Sequence, residues 1–183
     1  QFSYTLAFGG SDSGSGIGDV FLHYRFQALD ETARRPAFSP RVSLILPTGS
    51  ETRGLGGGSG GWEVNLPFSK QFGDLYLHWN GGFTHLPRAE GASGSQSLLT
   101  PRAAVSGIWR ARPMVNLMLE SVVEWAEEVA GAATERSSST TVVPGIRTGW
   151  NVGDAQAIVG LGVPVSFASG DTDAGLFGYF SYE

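Results

Sequence analysis

The chain has 183 residues, of which 27 are Gly and none is Cys, and it carries a formal net charge of −5 with only 16% charged residues. This length suits a single domain, and an acidic chain without a basic cluster argues against nucleic acid as a partner. No apolar run approaches the roughly 18 residues of a transmembrane helix, which excludes a helical membrane protein. A membrane β-barrel is not excluded, because its strands need only alternate residues to be apolar.

Alternating apolar and polar residues mark the first half of the chain as a series of strands. The clearest case is 61–80, two alternating arms joined by a predicted tight turn at 70–73. The other predicted strands of this half are 1–8, 19–29 and 37–46. Gly-, Ser- and Asp-rich composition predicts loops at 9–18 and 47–60 and a short polar connection at 30–35.

The second half continues the same pattern to its end. The predicted strands are 99–109, 114–125, 140–150, 155–167 and 176–183. Short turns are predicted at 110–113 and 151–154, and longer polar connections at 84–97, 127–138 and 168–174. The total is about ten strands of 8–12 residues, close to the roughly 9–11 residues that cross a bilayer at a tilt.

Short and long connections alternate strictly in this prediction, as they do between the two sides of outer-membrane barrels. Aromatic residues of the apolar parity fall near predicted strand ends, as in an interfacial girdle, rather than at strand centres, as in a sandwich core. We therefore predict an all-β fold, an antiparallel up-and-down transmembrane β-barrel, with residues 1–183 as one outer-membrane domain. Because the chain begins at Gln1 inside a strand pattern, we expect N-terminal strands to be missing and the intact barrel to have as many as about twelve.

The polar parity of the strands predicts the side chains that line the lumen. These candidate pore-lining residues are Asp19, His23, Arg25, Arg41, Glu63, Asn65, Tyr76, His78, Arg102, Asn116, Glu120, Glu124 and Arg147. Their charges allow two interpretations. They form a constriction that selects solutes, or they form a paired network that fills a narrow lumen, because unpaired buried charge is costly.

Other kinds of site have weaker support in the sequence. His23 and His78 share the inward parity without a ligand spacing, so no metal site is predicted. No Gly-x-Ser-x-Gly elbow occurs, and we predict neither a catalytic residue nor an enzyme. The Gly-x-Gly-x-x-Gly match at 56–61 precedes a strand rather than a helix, so a flexible external loop is predicted and no cofactor. Asp171 and Asp173 are expected in a solvated loop rather than at Ca²⁺.

Several segments resemble one family of bacterial proteins. They are Gly-Asp-Val-Phe-Leu-His-Tyr-Arg-Phe-Gln at 18–27, Leu-Pro-Thr-Gly at 46–49, Glu-Val-Asn-Leu-Pro-Phe-Ser-Lys at 63–70 and Phe-Gly-Tyr-Phe-Ser-Tyr-Glu at 177–183. Together they resemble the "transporter" family of outer-membrane barrels catalogued under the meta-pathway of phenol degradation. The Leu-Pro-Thr-Gly step is the most specific of these. The resemblance implies uptake of aromatic compounds, but it brings no motif for a particular substrate.

The expected function is therefore that of a channel in the bacterial outer membrane. Small solutes, aromatic or hydrophobic ones among them, would pass through a narrow charged lumen, with outer-membrane lipid around the barrel. Two alternatives stay open. One is a non-conducting structural barrel that anchors other envelope proteins, and the other is a soluble, lipocalin-like ligand-binding barrel in which the faces are reversed.

Overall fold

The computed structural model describes residues 2–11, 14–53, 55–56, 58–91, 94–130 and 133–182. Within these ranges the chain is built of β-strands, with one 3₁₀ turn at Glu51–Arg53. The strands are β1 (Phe2–Ser11), β2 (Gly14–Arg25), β3 (Ala37–Phe38), β4 (Arg41–Leu46), β5 (Gly61–Phe72), β6 (Leu75–Gly91), β7 (Gly94–Arg112), β8 (Val115–Ala130), β9 (Ala133–Val152), β10 (Ala155–Gly162), β11 (Val165–Ala168), β12 (Asp171–Ala174) and β13 (Phe177–Tyr182). No helix in the described part of the chain is long and apolar enough to span a membrane.

The strands form one antiparallel meander. Ten of them lie on a single path in the order β1-β2-β4-β5-β6-β7-β8-β9-β10-β13. The short β3 pairs with β5, while β11 and β12 form a hairpin whose first strand pairs with β9. The predicted all-β, antiparallel up-and-down fold of about ten strands is confirmed. Among the described residues the sheet is open, because β1 pairs only with β2 and β13 only with β10.

Tight turns join the strands at one end of the sheet, which we call the short-turn end. They lie at 73–74, 113–114 and 153–154, at or next to the predicted turns. Gly73 and Gly153 have φ values of +59° and +65°, a conformation that Gly adopts at a hairpin position without steric cost.

The remaining connection at this end is longer than predicted. It spans 26–40 rather than 30–35, and it includes β3. The predicted strand 37–46 is thus divided into β3 and β4, and Pro40, which has no N–H to donate to a ladder, lies at the break.

Glu31 ties this connection to the hairpin of β5 and β6. Its Oε1 accepts a hydrogen bond from the Gln71 backbone N at 2.9 Å and another from Lys70 Nζ at 3.0 Å. The Gln71 N–H, and after it the Lys70 ammonium, hold the pKa of the Glu31 carboxyl below its ordinary value, since both stabilise the ionised form.

In four predicted loops the described residues form strands, apart from a turn at 169–170, so the loop predictions for 9–18, 84–97, 127–138 and 168–174 were wrong for these residues. β6 and β7 pair from Leu75 and Trp109 as far as Gly91 and Gly94, and β9 reaches 20 residues rather than the predicted 8–12. Gly, Ser and Glu favour loops by composition. Two such segments in succession can nevertheless satisfy their backbone N–H and C=O groups by pairing with each other, which extends the hairpin. Of the long predicted loops, 47–60 remains a connection.

The two faces of the sheet differ in burial. On the face that carries the polar parity, which we call the inner face, Ser43 and Glu63 are 1% and 6% exposed. On the opposite, outer face, Val105, Trp109 and Leu119 are 54%, 53% and 56% exposed. A protein that folds in water has the reverse arrangement, with large apolar side chains buried and charged ones exposed.

The outer face carries an apolar band of limited length along the strands. On β7 the outward residues from Leu99 to Trp109 include no polar side chain. Ten residue steps of about 3.3 Å give this apolar stretch a length of about 33 Å along the strand. Beyond Leu99 the outward residue is Ser97, and on neighbouring β8 Trp125 is followed by Glu127, so the band ends at a similar level on both strands.

Aromatic rings cluster near both ends of the band on β5 and β6. Toward the short-turn end, Phe68 stacks on Phe38 and on Trp79, with centroid distances of 4.4 Å and 5.8 Å. Toward the other end, Trp62 meets Phe83 edge to face at 5.1 Å. This distribution agrees with the predicted placement of aromatics near strand ends.

Candidate functional site

The strand registers bring all the predicted lumen residues onto the inner face. Arg25 is opposite Arg41, which is opposite Asn65. Between β7 and β8, further along the same sheet, Arg102 is opposite Glu124. The remaining members follow by alternation along the same strands. The inner face therefore holds every charged residue of the predicted set, and the contacts among them define the site.

A buried carboxylate, Glu63, is the centre of these contacts. Its side chain is 7% exposed, and its Oε1 lies 2.8 Å from Arg41 Nη2. Its other oxygen, Oε2, accepts from Arg102 Nη2. Ser43 Oγ lies 3.4 Å from Oε1 and is joined in turn to His23 Nδ1 at 2.8 Å. We call these five residues the Glu63 cluster.

Arg102 reaches Glu63 across an intervening strand. Arg102 is on β7 and Glu63 is on β5, and the residue of β6 level with Arg102 is Gly82. Because Gly82 has no side chain, the Arg102 side chain can cross β6. A Cβ on Gly82 would lie 2.4 Å from the carbonyl oxygen of Val64, so the strand backbones also leave no room for one.

The Glu63 cluster realises part of the predicted ion-pair network. Two arginines share one carboxylate. The negative charge of Glu63 is therefore paired, and the cluster as a whole carries an excess of positive charge. Glu120, Glu124 and Arg147, which a paired network throughout the lumen would have included, form no ion pair among the described residues. Register explains the difference, because Arg147 is opposite Asn116 whereas Glu120 is opposite Val143.

The long connection 47–60 folds over the inner face at the end opposite the tight turns. Asp19 Oδ1 accepts a hydrogen bond from the Gly49 N–H at 2.9 Å, and Thr48 Oγ1 donates to the Gly18 carbonyl at 2.9 Å. A Cβ on Gly56 would lie 2.5 Å from Asp19 Oδ1. Gly49 and Gly56 thus lie against Asp19 of β2, and the flexible external loop stays a prediction for 56–61.

Two recesses lie on the inner face. The first has a volume of about 250 Å³ and is lined by Arg25, His78 and Glu120, among others. The second, of about 490 Å³, has a mostly apolar lining and extends from Glu120 to Arg147 and Tyr179. Ser106 and Glu120 line both recesses, so the two are neighbours along the same surface.

The other predicted residues are spread along the inner face. The Tyr76 hydroxyl accepts from Arg110 and lies 3.1 Å from Gln71 Nε2, close to the short-turn end. Asn65 has its Oδ1 buried without a hydrogen-bond partner among the described residues. His78 lies in the first recess, and in the described ranges no three His, Asp or Glu side chains gather as a metal site would require.

Sequence reasoning missed the small residues that shape the site. Ser43 connects His23 to Glu63, and Gly82 lets Arg102 reach across β6. Neither residue type points to a site by itself. Their roles depend on which strand lies beside which, and a register of this kind is not encoded in alternation alone.

No protein-family model and no curated protein matches this chain.

Proposed function

We propose that the chain forms an outer-membrane channel through which small solutes, aromatic or hydrophobic ones among them, diffuse passively. The observation that carries this proposal is the inverted burial of the sheet, with exposed apolar side chains on the outer face and buried Ser43 and Glu63 on the inner face. An apolar surface of this extent favours aggregation in water. In a bilayer the same surface contacts hydrocarbon at no such cost.

The dimensions of the apolar band support a bilayer location. Its length of about 33 Å on β7 would give a height of about 25 Å at the tilt of about 40° that strands of outer-membrane barrels have, which matches the apolar band of those barrels. The ring clusters around Phe68 and Trp62 lie toward its two ends, where aromatic rings meet lipid headgroups. The strands that project beyond Trp125 and Leu99 carry polar residues, as external hairpins do.

The inner face supports a narrow, charged path. The Glu63 cluster spans β2 to β7, and the connection 47–60 covers part of the same face. A solute would pass between these features and the recesses that Glu120 borders. Arginines in excess of the carboxylate at the Glu63 cluster favour anions over cations at this point.

A non-conducting structural barrel is the second candidate. It is favoured by the same two features, because an ion-pair cluster together with a folded-in connection can fill the lumen of a small barrel. The soluble lipocalin-like alternative has less support. It requires Trp62, Leu66 and Leu117 in a closed interior, yet these side chains are 40–41% exposed.

Current through planar lipid bilayers separates the two candidates. We expect discrete conductance steps for the wild-type protein, and larger steps for Asp19→Ala, which loses the acceptor that holds Gly49. Asp74→Ala is the matched control, because Asp74 lies in an exposed turn at the other end. Silence of all three proteins, each shown to be inserted, would reject the channel in favour of the structural barrel.

A further inference from the structure

The second recess is built of three successive rows across the inner face. The middle row is Met118, Gly145, Gly162 and Phe177. Because Gly145 and Gly162 are directly opposite each other, the floor of the recess there is bare backbone. Met118 lies at its side, where a Cβ on Gly145 would meet Met118 Cε at 3.4 Å.

The row on the short-turn side is polar. It consists of Asn116, Arg147, Gly160 and Tyr179. Arg147 is partly buried in the wall of the recess. It forms neither an ion pair nor a hydrogen bond with any described residue. A guanidinium in this position has its donors available for an anion, and it can bind a carboxylate with two hydrogen bonds.

The row on the opposite side contains Glu120, which likewise forms no ion pair or hydrogen bond within the described ranges. Glu120 lies four residue steps along β8 from Asn116, the register partner of Arg147, which corresponds to about 13 Å along the strand. As far as the described residues go, the recess therefore has an unpaired cation at one end, an unpaired anion at the other and apolar walls between them. Its volume of about 490 Å³ lies in the range of roughly 300–1,000 Å³ typical of small-molecule pockets.

We propose that this recess binds a small organic monoanion, with the carboxylate at Arg147 and the apolar body on the glycine floor between Met118 and Phe177. The inference rests on the proposed function, because it makes the recess a solute site in the lumen. The Glu120 carboxylate faces the far end of such a ligand. It repels a second negative charge there, so the site selects monoanions over dianions.

Ligand-observed ¹⁹F NMR on the protein in lipid nanodiscs tests this assignment. The probes are 4-fluorobenzoate, its neutral analogue 4-fluorobenzyl alcohol and the dianion 5-fluoroisophthalate, each referenced to empty nanodiscs. We expect the monoanion to bind most tightly. Arg147→Gln should weaken its binding about ten- to hundredfold, the loss expected for hydrogen bonds to a charged group. Arg25→Gln, in the first recess, is the matched control and should change it less than about twofold.

Glu120→Gln tests the selectivity separately. It should tighten binding of 5-fluoroisophthalate while leaving 4-fluorobenzoate bound as tightly as in the wild type or more so. Equal affinities of the acid and the alcohol, an unchanged Kd in Arg147→Gln, or no binding to the wild-type protein would overturn the proposal. Binding is measured here without current. A silent barrel that binds the monoanion contradicts only the channel, and a conducting barrel that does not bind it contradicts only this site.

Discussion

Replacing Ala103 with Lys puts an ammonium group on the outer face of β7, near the middle of the apolar band. Ala103 is exposed, and it lies four residues from Leu99 and six from Trp109. At a tilt of about 40° these spacings correspond to depths of about 10 Å and about 15 Å from the two edges of the band. A Lys at such a depth lowers the stability of a membrane barrel by about 2–4 kcal/mol. The lower half of this range applies where the Lys side chain is long enough to place its ammonium at the membrane interface.

Ala104→Lys is the matched control, because the native residue is the same and the neighbouring position faces inward. Ala104 lines the first recess together with Glu120 and Ser106, so an ammonium there has polar neighbours. We expect it to cost no more than about 1 kcal/mol, as is usual for a tolerated polar substitution.

Urea titrations of both variants in phospholipid vesicles, followed by tryptophan fluorescence, measure the two free energies of unfolding. The expected difference between the variants is about 2 kcal/mol, with Ala103→Lys the less stable. Equal costs, or a greater cost for Ala104→Lys, would mean that the outer face does not contact lipid.

Three further substitutions or conditions test the contacts described above. Glu63→Gln leaves two arginines without their carboxylate and should cost about 3 kcal/mol of stability and increase anion preference in bilayer currents; unchanged stability and selectivity would refute the role of the cluster. Gly82→Ala should destabilise the protein by about 1–3 kcal/mol, because its Cβ would lie 2.4 Å from the Val64 carbonyl oxygen. Gly81→Ala is the control and should be neutral, because a Cβ there would have nothing within 4 Å. Equal effects of the two substitutions on stability would contradict this strand register. Glu31 should titrate below the pKa of an unperturbed glutamate in an NMR pH series, because Gln71 and Lys70 stabilise its ionised form. The stabilisation that it gives the connection 26–40 is therefore present above the unperturbed pKa and lost as the pH falls through the lowered pKa, and an elevated pKa would contradict its contacts.

The fold was predictable from alternation because one parity of the strands is apolar over most of the chain. Residues such as Trp62, Leu117 and Leu161 repeat at a period of two, and this period fixes both the strands and their faces. The tight turns were predictable as well, because Gly73 and Gly153 interrupt the pattern where a positive φ is required.

The projecting hairpins were not predictable from composition. Residues 84–97 and 127–138 are polar, and composition does not distinguish a solvated loop from two polar strands that pair with each other. In the structure, the backbones of β8 and β9 pair as far as Val129 and Thr134, so this segment is a hairpin rather than a loop. It depends on the preceding strands being held in register by their apolar faces.

The site was predictable only as a set of residues on one face. Alternation assigned Arg41, Glu63 and Arg102 to the same side, and they do meet. It left open whether Arg147 also pairs with an acidic residue, and among the described residues Arg147 forms no ion pair. Which charges meet depends on strand register and on the reach of each side chain, and both come from tertiary structure.

The central claim is that side chains of one parity on each strand contact lipid hydrocarbon and those of the other parity do not. Since the chain has no cysteine, single-cysteine variants at each position from 99 to 109 can each carry one spin label without a competing thiol. In vesicles, electron paramagnetic resonance should give high oxygen accessibility at the odd positions from Leu99 to Trp109 and low accessibility at the even positions, with a period of two. A profile without this alternation, or one with the even positions in lipid, would contradict the account.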